Sequence, residues 1–309
     1  MLSASMPAVN DSEGDFVPEG LPPVIDAHVH VFPEGVFAAL WKWFDTHAWP
    51  IRYRMSAREL VEFLLGRGVA HVAALQYAHK PGIADGLNSF MSDLCRAFPG
   101  RVTGLASVFP GETDAAGILD RAFEAGLAGV KLHAHVQCFD INSTCMDEIY
   151  HACSRAQKPL VIHAGREPKS PAYACDTHEI CGVDKIRRVM DSYPDLSLCV
   201  PHLGADEFEE YAALVESCDN LWLDTAMAVT DYLPMSNPVS LSRMRADRVM
   251  YGSDFPNIPY AWDRELKELA SCGFSGDRLE KLLYKNACEF FGIRTDGLLK
   301  VNNGQNYND

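Results

Sequence analysis

The sequence predicts an α/β chain wound as a single (β/α)8 barrel, the TIM-barrel architecture, on three observations. Eight apolar, β-branched runs of strand length recur along 309 residues, and helical patterns of apolar spacing separate most of them. No Gly-x-Gly-x-x-Gly follows the first run, which counts against a doubly wound nucleotide-binding sheet. Several runs end on a histidine or aspartate followed by turn-forming residues, as strands do when they deliver side chains to one open face.

The elements follow in order. A polar N-terminal stretch, residues 1–20, is expected to be a mobile tail, and one domain is expected over 21–293. The first strand is read at 24–30. An aromatic insertion at about 32–55 follows, carrying Phe37, Trp41, Trp43, Phe44, Trp49 and Tyr53. It is expected to pack on the barrel or on a second copy of the chain, or to form a lid over the strand ends. Further strands are read at 70–76, 102–108, 128–133, 160–163, 196–202, 221–224 and 248–253. Helices are read at 57–65, 87–97, 113–125, 146–157, 183–192, 207–217 and 262–272, with an extra one at 278–291. The long connection 166–181 contains two prolines and could form another pocket wall. Residues 294–309 are expected to be a second mobile tail.

Composition narrows the function. With 48% hydrophobic residues the chain can bury a large core. A formal charge of −15 argues against binding nucleic acid or an anionic membrane, since both need basic surface. No stretch is long and apolar enough to span a bilayer. The ten cysteines are scattered without a Cys-x-x-Cys pair, and the N-terminus does not read as a signal peptide, so a reduced, cytoplasmic protein is expected.

The chemistry gathers at the strand ends. His28 and His30 flank Val29, and alternate residues of a strand share a face, so the two imidazoles point the same way. His163 in Pro-Leu-Val-Ile-His-Ala-Gly, His202 in Leu-Cys-Val-Pro-His-Leu-Gly and Asp254 in Tyr-Gly-Ser-Asp-Phe-Pro each end another run. In a parallel barrel all these ends converge. Neutral imidazoles with a carboxylate suit Zn²⁺ or a similar divalent ion and leave a position for water, whose pKa such an ion lowers towards ~7.

The ordered set, with Ile-Asp-Ala-His-Val-His, Val-Lys-Leu-His, Ile-His-Ala-Gly, Pro-His-Leu-Gly and Tyr-Gly-Ser-Asp-Phe-Pro, resembles the metal-dependent amidohydrolase superfamily. The phrasing is similar to its amidohydrolase-related branch, which includes the aminocarboxymuconate-semialdehyde decarboxylase group. The resemblance runs from about residue 24 to 292 and speaks to fold and metal site more than to substrate. It implies His28, His30, His163 and Asp254 as ligands of a single divalent ion, most simply Zn²⁺. It implies His202 beside the ion, polarising substrate or positioning water, and Asp254 as ligand and proton shuttle together.

Some relatives with two metals use a carboxylated lysine at the end of strand four, where Lys131 stands. The one-metal phrasing of this chain makes Lys131 an expected cation for substrate instead. His133, His135 and Arg166 complete the expected substrate contacts, with Gln137 and Glu167 nearby. The expected partner is a small, carboxylated molecule. The expected activity is hydrolysis by metal-activated water, with non-oxidative decarboxylation as the alternative. A barrel that binds a ligand without catalysis would be expected to have lost ligand positions, and all five are filled.

Overall fold

Each apolar run becomes a strand of one parallel barrel: β1 (Ile25–His30), β2 (His71–Leu75), β3 (Val102–Gly104), β4 (Val130–His133), β5 (Leu160–His163), β6 (Leu198–Val200), β7 (Leu221–Asp224) and β8 (Val249–Met250). The computed structural model describes residues 8–167, 170–230, 239–274 and 276–295. Strands β1 to β3 and β4 to β8 pair with their neighbours in chain order. Parallel bridges Ala106–Val130 and Val29–Phe255 join the two sets and close the barrel. Closure leaves no free sheet edge.

The helices are α1 (Glu34–His47), α2 (Ala57–Gly66), α3 (Ala84–Ala97), α4 (Ala115–Glu124), α5 (Ala134–Gln137), α6 (Asp147–Ala156), α7 (Thr177–Ile180), α8 (Val183–Ser192), α9 (Phe208–Ser217), α10 (Arg264–Ser271), α11 (Gly276–Glu280) and α12 (Asn286–Phe291). Helix α2 shows why such segments start where they do. Ser56 Oγ accepts the Glu59 amide at 3.3 Å while Glu59 Oε2 accepts the Ser56 amide at 2.9 Å, a reciprocal cap. The short helices α5 and α7 carry too little periodicity to read from sequence; both sit in connections at the site.

Two apolar layers divide the work. Val29, Val72, Val130, Leu132, Leu160, Ile162, Leu198 and Leu223 face outward against the helices. Ile25, Ala27, Leu75, Leu105, Val161, Cys199, Trp222 and Met250 fill the inside, and Tyr284, Ala287, Phe290 and Phe291 of the C-terminal helices pack against them. The extra helical stretch therefore plugs the barrel. It continues from α11 to α12 through a π-helical turn, Lys281–Lys285.

Strands β3, β6 and β8 end earlier than the apolar runs suggest, for one shared reason. Beyond each ladder a buried side chain takes the amide that a neighbouring strand would otherwise accept. Ser107 N donates to Asn88 Oδ1 at 2.8 Å, His202 N to Asp224 Oδ1 at 3.1 Å and Ser253 N to Asp26 Oδ1 at 3.1 Å. Buried amides stay satisfied while the chain turns away towards the site.

Part of the expected N-terminal tail is fastened to the barrel. Val17 N donates to the Arg67 carbonyl at 2.8 Å, Gly14 N to Asp263 Oδ2 at 2.8 Å and Trp262 Nε1 to the Gly14 carbonyl at 3.1 Å. Residues 1–7 and 296–309 of the expected tails lie outside the described residues. Among the described residues no helix is long and apolar enough to cross a membrane.

Candidate active site

Strand β1 carries a bulge. Asp26 pairs with Val72 and Val29 with Ala74, so β1 spends one more residue than β2 over this interval. The extra residue shifts the alternation: Ile25 and Ala27 point inward, then Val29 points outward, and His28 and His30 face the site. Gly252 lies so close behind β1 that a Cβ there would meet His28 Cβ at 2.7 Å. The glycine of Tyr-Gly-Ser-Asp-Phe-Pro thus lets β8 approach the first histidine.

His28 Nε2, His30 Nε2 and Asp254 Oδ1 converge. The two nitrogens are 3.1 Å apart, and the carboxylate oxygen lies 3.2 Å from the first and 3.0 Å from the second. Donors bound to one ion at about 2.0–2.2 Å lie between about 3.0 Å apart in octahedral and 3.6 Å in tetrahedral geometry. The three atoms therefore fit a shared divalent cation, and all three residues are buried. Burial, and next the Lys131 charge, hold the His28 imidazole well below its usual pKa, and burial lowers His30. Both are neutral at pH 7, the form that ligates. Burial opposes ionisation of Asp254, yet hydrogen bonding and the charges of His30 and His28 hold its pKa below the usual carboxylate value.

Asp224, at the end of β7, orients this group. Its Oδ2 accepts from His28 Nδ1 at 2.8 Å, leaving Nε2 for the cation, and its Oδ1 accepts from the amides of His202 and Ala226, each at 3.1 Å. Replacing it with Asn leaves a single acceptor oxygen for the two donor directions. Asp224→Asn is therefore expected to weaken metal affinity about 10–100-fold, the usual scale for a partner of a ligating histidine. Competition with a chelator measures it, and unchanged affinity would remove the orienting role.

His202 and His163 form the adjoining half. His202 Nδ1 donates to the Ala226 carbonyl at 2.8 Å; a carbonyl only accepts, so Nδ1 carries the proton. Its Nε2 faces His163 Nδ1 at 3.1 Å. The His202 ring stands 5.3 Å from His28 and 4.6 Å from His163, between the two halves. His202 and Asp254 both occupy left-handed backbone, φ 57° and 62°. Such conformations are uncommon for residues with side chains and are found where geometry at a site is over-determined.

His163 Nε2 pairs with Glu167 Oε1 at 2.8 Å. Glu167 Oε2 lies 3.4 Å from His135 Nδ1, whose other nitrogen meets the Cys181 thiol at 3.1 Å. Burial pushes His163 down to about 3 despite the Glu167 carboxylate. Burial would raise Glu167, but its hydrogen bond to His163 and its pairing with the His135 imidazolium hold it well below its usual range. His133 stacks on His163 at 3.9 Å, with Tyr77 edge-on to it at 4.9 Å. Among the described residues three groupings could hold a metal ion: His28 with His30 and Asp254, His163 with Glu167 and His202, and His133 with His135 and His163; none holds both His163 and the β1 histidines.

Lys131 is fully buried, and its Nζ has no hydrogen-bond partner among the described residues. Burial pushes it down to about 8, against the pull of Asp224 and Asp254. Arg166 points elsewhere, with Nε 3.3 Å from Glu207 Oε1 and the side chain half exposed. Gln137 is spent on structure: it accepts the His133 amide and donates to the Ala78 and Val108 carbonyls, each at 2.9 Å. Sequence reasoning missed Asp224, although Leu-Trp-Leu-Asp carries the same signal as the others, a polar residue ending an apolar run.

The aromatic insertion forms α1, and it reaches the site. Phe37 meets Phe32, which stacks on His30 at 6.0 Å, while Trp43 meets Tyr173 at 5.8 Å and Tyr173 stands edge-on to His135 at 5.4 Å. Insertion and β5 connection therefore touch beside the histidines.

A family model described as Amidohydrolase matches residues 25–293. An uncharacterised TIM-barrel protein from Bordetella bronchiseptica is 16% identical, with TM-score 0.65, over 87% of this chain and 98% of its own. A 5-carboxyvanillate decarboxylase from Novosphingobium aromaticivorans, crystallised with manganese and 4-hydroxy-3-methoxy-5-nitrobenzoic acid, is 17% identical, with TM-score 0.64, over 91% and 100%. A 2,6-dihydroxybenzoate decarboxylase complexed with 2,6-dihydroxybenzoate is 14% identical, with TM-score 0.62, over 88% and 100%. At these identities the likeness shows the barrel they share. No curated protein matches the chain.

Proposed function

Because this chain belongs to the amidohydrolase family, we propose that it is a metal-dependent hydrolase of a small carboxylated molecule. The convergence of His28 Nε2, His30 Nε2 and Asp254 Oδ1 within 3.2 Å carries the proposal. His28, His30, His163 and Asp254 are the proposed ligands of a single divalent ion, with Zn²⁺ favoured by three imidazoles and one carboxylate. When bound, such an ion polarises a carbonyl and makes water a nucleophile near neutral pH. Asp254 accepts the proton of the attacking water and returns it to the leaving group. His202, with Nδ1–H fixed on the Ala226 carbonyl, presents Nε2 as an acceptor that positions the attacking water. Lys131, buried without a partner, is proposed to meet the substrate carboxylate, with His133 and His135 alongside. Arg166 would join them by leaving Glu207.

Decarboxylation is the second reading, supported by the two decarboxylases of the same fold. There a carbon–carbon bond breaks, CO₂ leaves, and a proton taken from solvent is relayed through Asp254 to the carbon that lost it. Zn²⁺- or Mn²⁺-loaded protein incubated with 5-carboxyvanillate, 2,6-dihydroxybenzoate and a panel of carboxylated lactones and amides, in ¹⁸O-water and in parallel in deuterium oxide, separates the readings. Solvent oxygen in the organic product of a lactone or amide supports hydrolysis. Release of CO₂ with solvent hydrogen on carbon and no new oxygen overturns it in favour of the lyase.

Metal content gives an independent check. The expected result is a single ion per chain by elemental mass spectrometry and an unmodified Lys131 by peptide mass. A second ion at ~3.5–4 Å needs a bridging ligand. A second equivalent of metal together with a carboxylated Lys131 would move the protein to the binuclear chemistry.

A further inference from the structure

All ten cysteines are free thiols, and two from distant segments lie against one backbone carbonyl. Cys138 ends the short helix α5 after β4, in left-handed backbone at φ 52°. Cys175 lies in the connection after β5, the segment that also carries Glu167 and Tyr173. Their sulfurs gather on one acceptor: the His135 carbonyl oxygen is 3.4 Å from Cys138 Sγ and 3.8 Å from Cys175 Sγ. Cys138 is exposed and Cys175 partly buried.

We propose that Cys138 and Cys175 form a dithiol site that small disulfides oxidise to a disulfide, tying the β5 connection to the α5 turn beside the candidate active site. The exchange has a direction. Burial first, and then the neighbouring Cys138 thiol, push the Cys175 thiol up to about 12, and Cys138 is the more exposed of the two, so Cys138 attacks first. Its thiolate displaces one thiolate from oxidised glutathione and forms a mixed disulfide. That step removes the Cys138 charge that disfavours the Cys175 thiolate. Cys175 then attacks the Cys138 sulfur and releases the second glutathione. Two protein thiols are oxidised, one oxidised glutathione is reduced to two thiols, and the thiol protons end on the leaving groups. The tether joins the segment of Glu167 and Tyr173 to that of His135, so the redox state sets how freely this wall of the site moves.

The test uses the reduced full-length protein exposed to oxidised glutathione, read by intact mass and non-reducing peptide mapping. The expected product has lost two hydrogen masses and links the Cys138 and Cys175 peptides. Phenylarsine oxide, which joins two neighbouring thiols through one arsenic with loss of water, is expected to bind once per chain and to block that link. Cys175→Ser is expected to accumulate one glutathione on Cys138, and Cys138→Ser to give neither adduct nor link, with circular dichroism confirming that both variants fold. A stable glutathione adduct on wild-type Cys138, a link from Cys175 to Cys181 instead, or no reaction at all would overturn the proposal.

Discussion

Asp254→Asn is expected to leave the barrel folded and to lower turnover by about 10²–10⁴-fold, the scale of a lost general acid–base group. The amide keeps the shape of the carboxylate but has neither its charge nor its basicity. One oxygen of Asp254 already contacts both histidines of β1, at 3.2 and 3.0 Å, so the substitution removes negative charge from the point where the cation is proposed to sit. It also removes the proposed proton acceptor. The main-chain bond from the Asp254 amide to the His28 carbonyl, 2.9 Å, does not depend on the side chain and is expected to hold β8 against β1. Far-ultraviolet circular dichroism checks the fold, and a rate assay on whichever substrate the wild type converts checks the chemistry. Activity like that of wild type would exclude both roles.

His202→Ala is expected to lower turnover by about 10²–10⁴-fold, the cost of deleting one positioned acid–base group, while leaving most of the metal in place. The argument rests on position. His202 stands between the β1 histidines and His163, and Asp224 holds it through its backbone amide, a bond that alanine retains. His163→Ala, by contrast, is expected to lose metal and activity together. Elemental analysis of the two variants after identical purification separates them. Metal loss in His202→Ala equal to that in His163→Ala would make His202 a ligand and not a partner of the reaction.

The barrel was legible because its signals are local. Strand-length apolar runs and helical spacing report which residues must leave water, and nearly every run became an element within a few residues of its expected ends. The misreadings share a cause. Strands β3, β6 and β8 end early because Asn88, Asp224 and Asp26 satisfy amides from far away in the chain, and no local pattern announces such partners. Arg166 and Glu167 show the same limit. Two neighbouring charged residues after β5 look interchangeable in a sequence, yet the bridge between Arg166 and Ala205 turns the arginine to Glu207 and the glutamate to His163 and His135.

Read alone, the residues determine that five polar groups end apolar runs, and hence that they share the open face of a parallel barrel. Tertiary structure decides how they are grouped. The bulge in β1 selects which alternate residues face inward, because one inserted residue reverses the side-chain phase for the rest of the strand. Asp224 selects which nitrogen of His28 is free, because a hydrogen bond from one ring nitrogen leaves the other for the cation. The partition into a His28, His30 and Asp254 group and a His163, His202 and Glu167 group depends on contacts between residues tens to hundreds of positions apart. Local periodicity sets burial and direction along one strand. Distances of about 3 Å between strands arise only when the whole barrel closes.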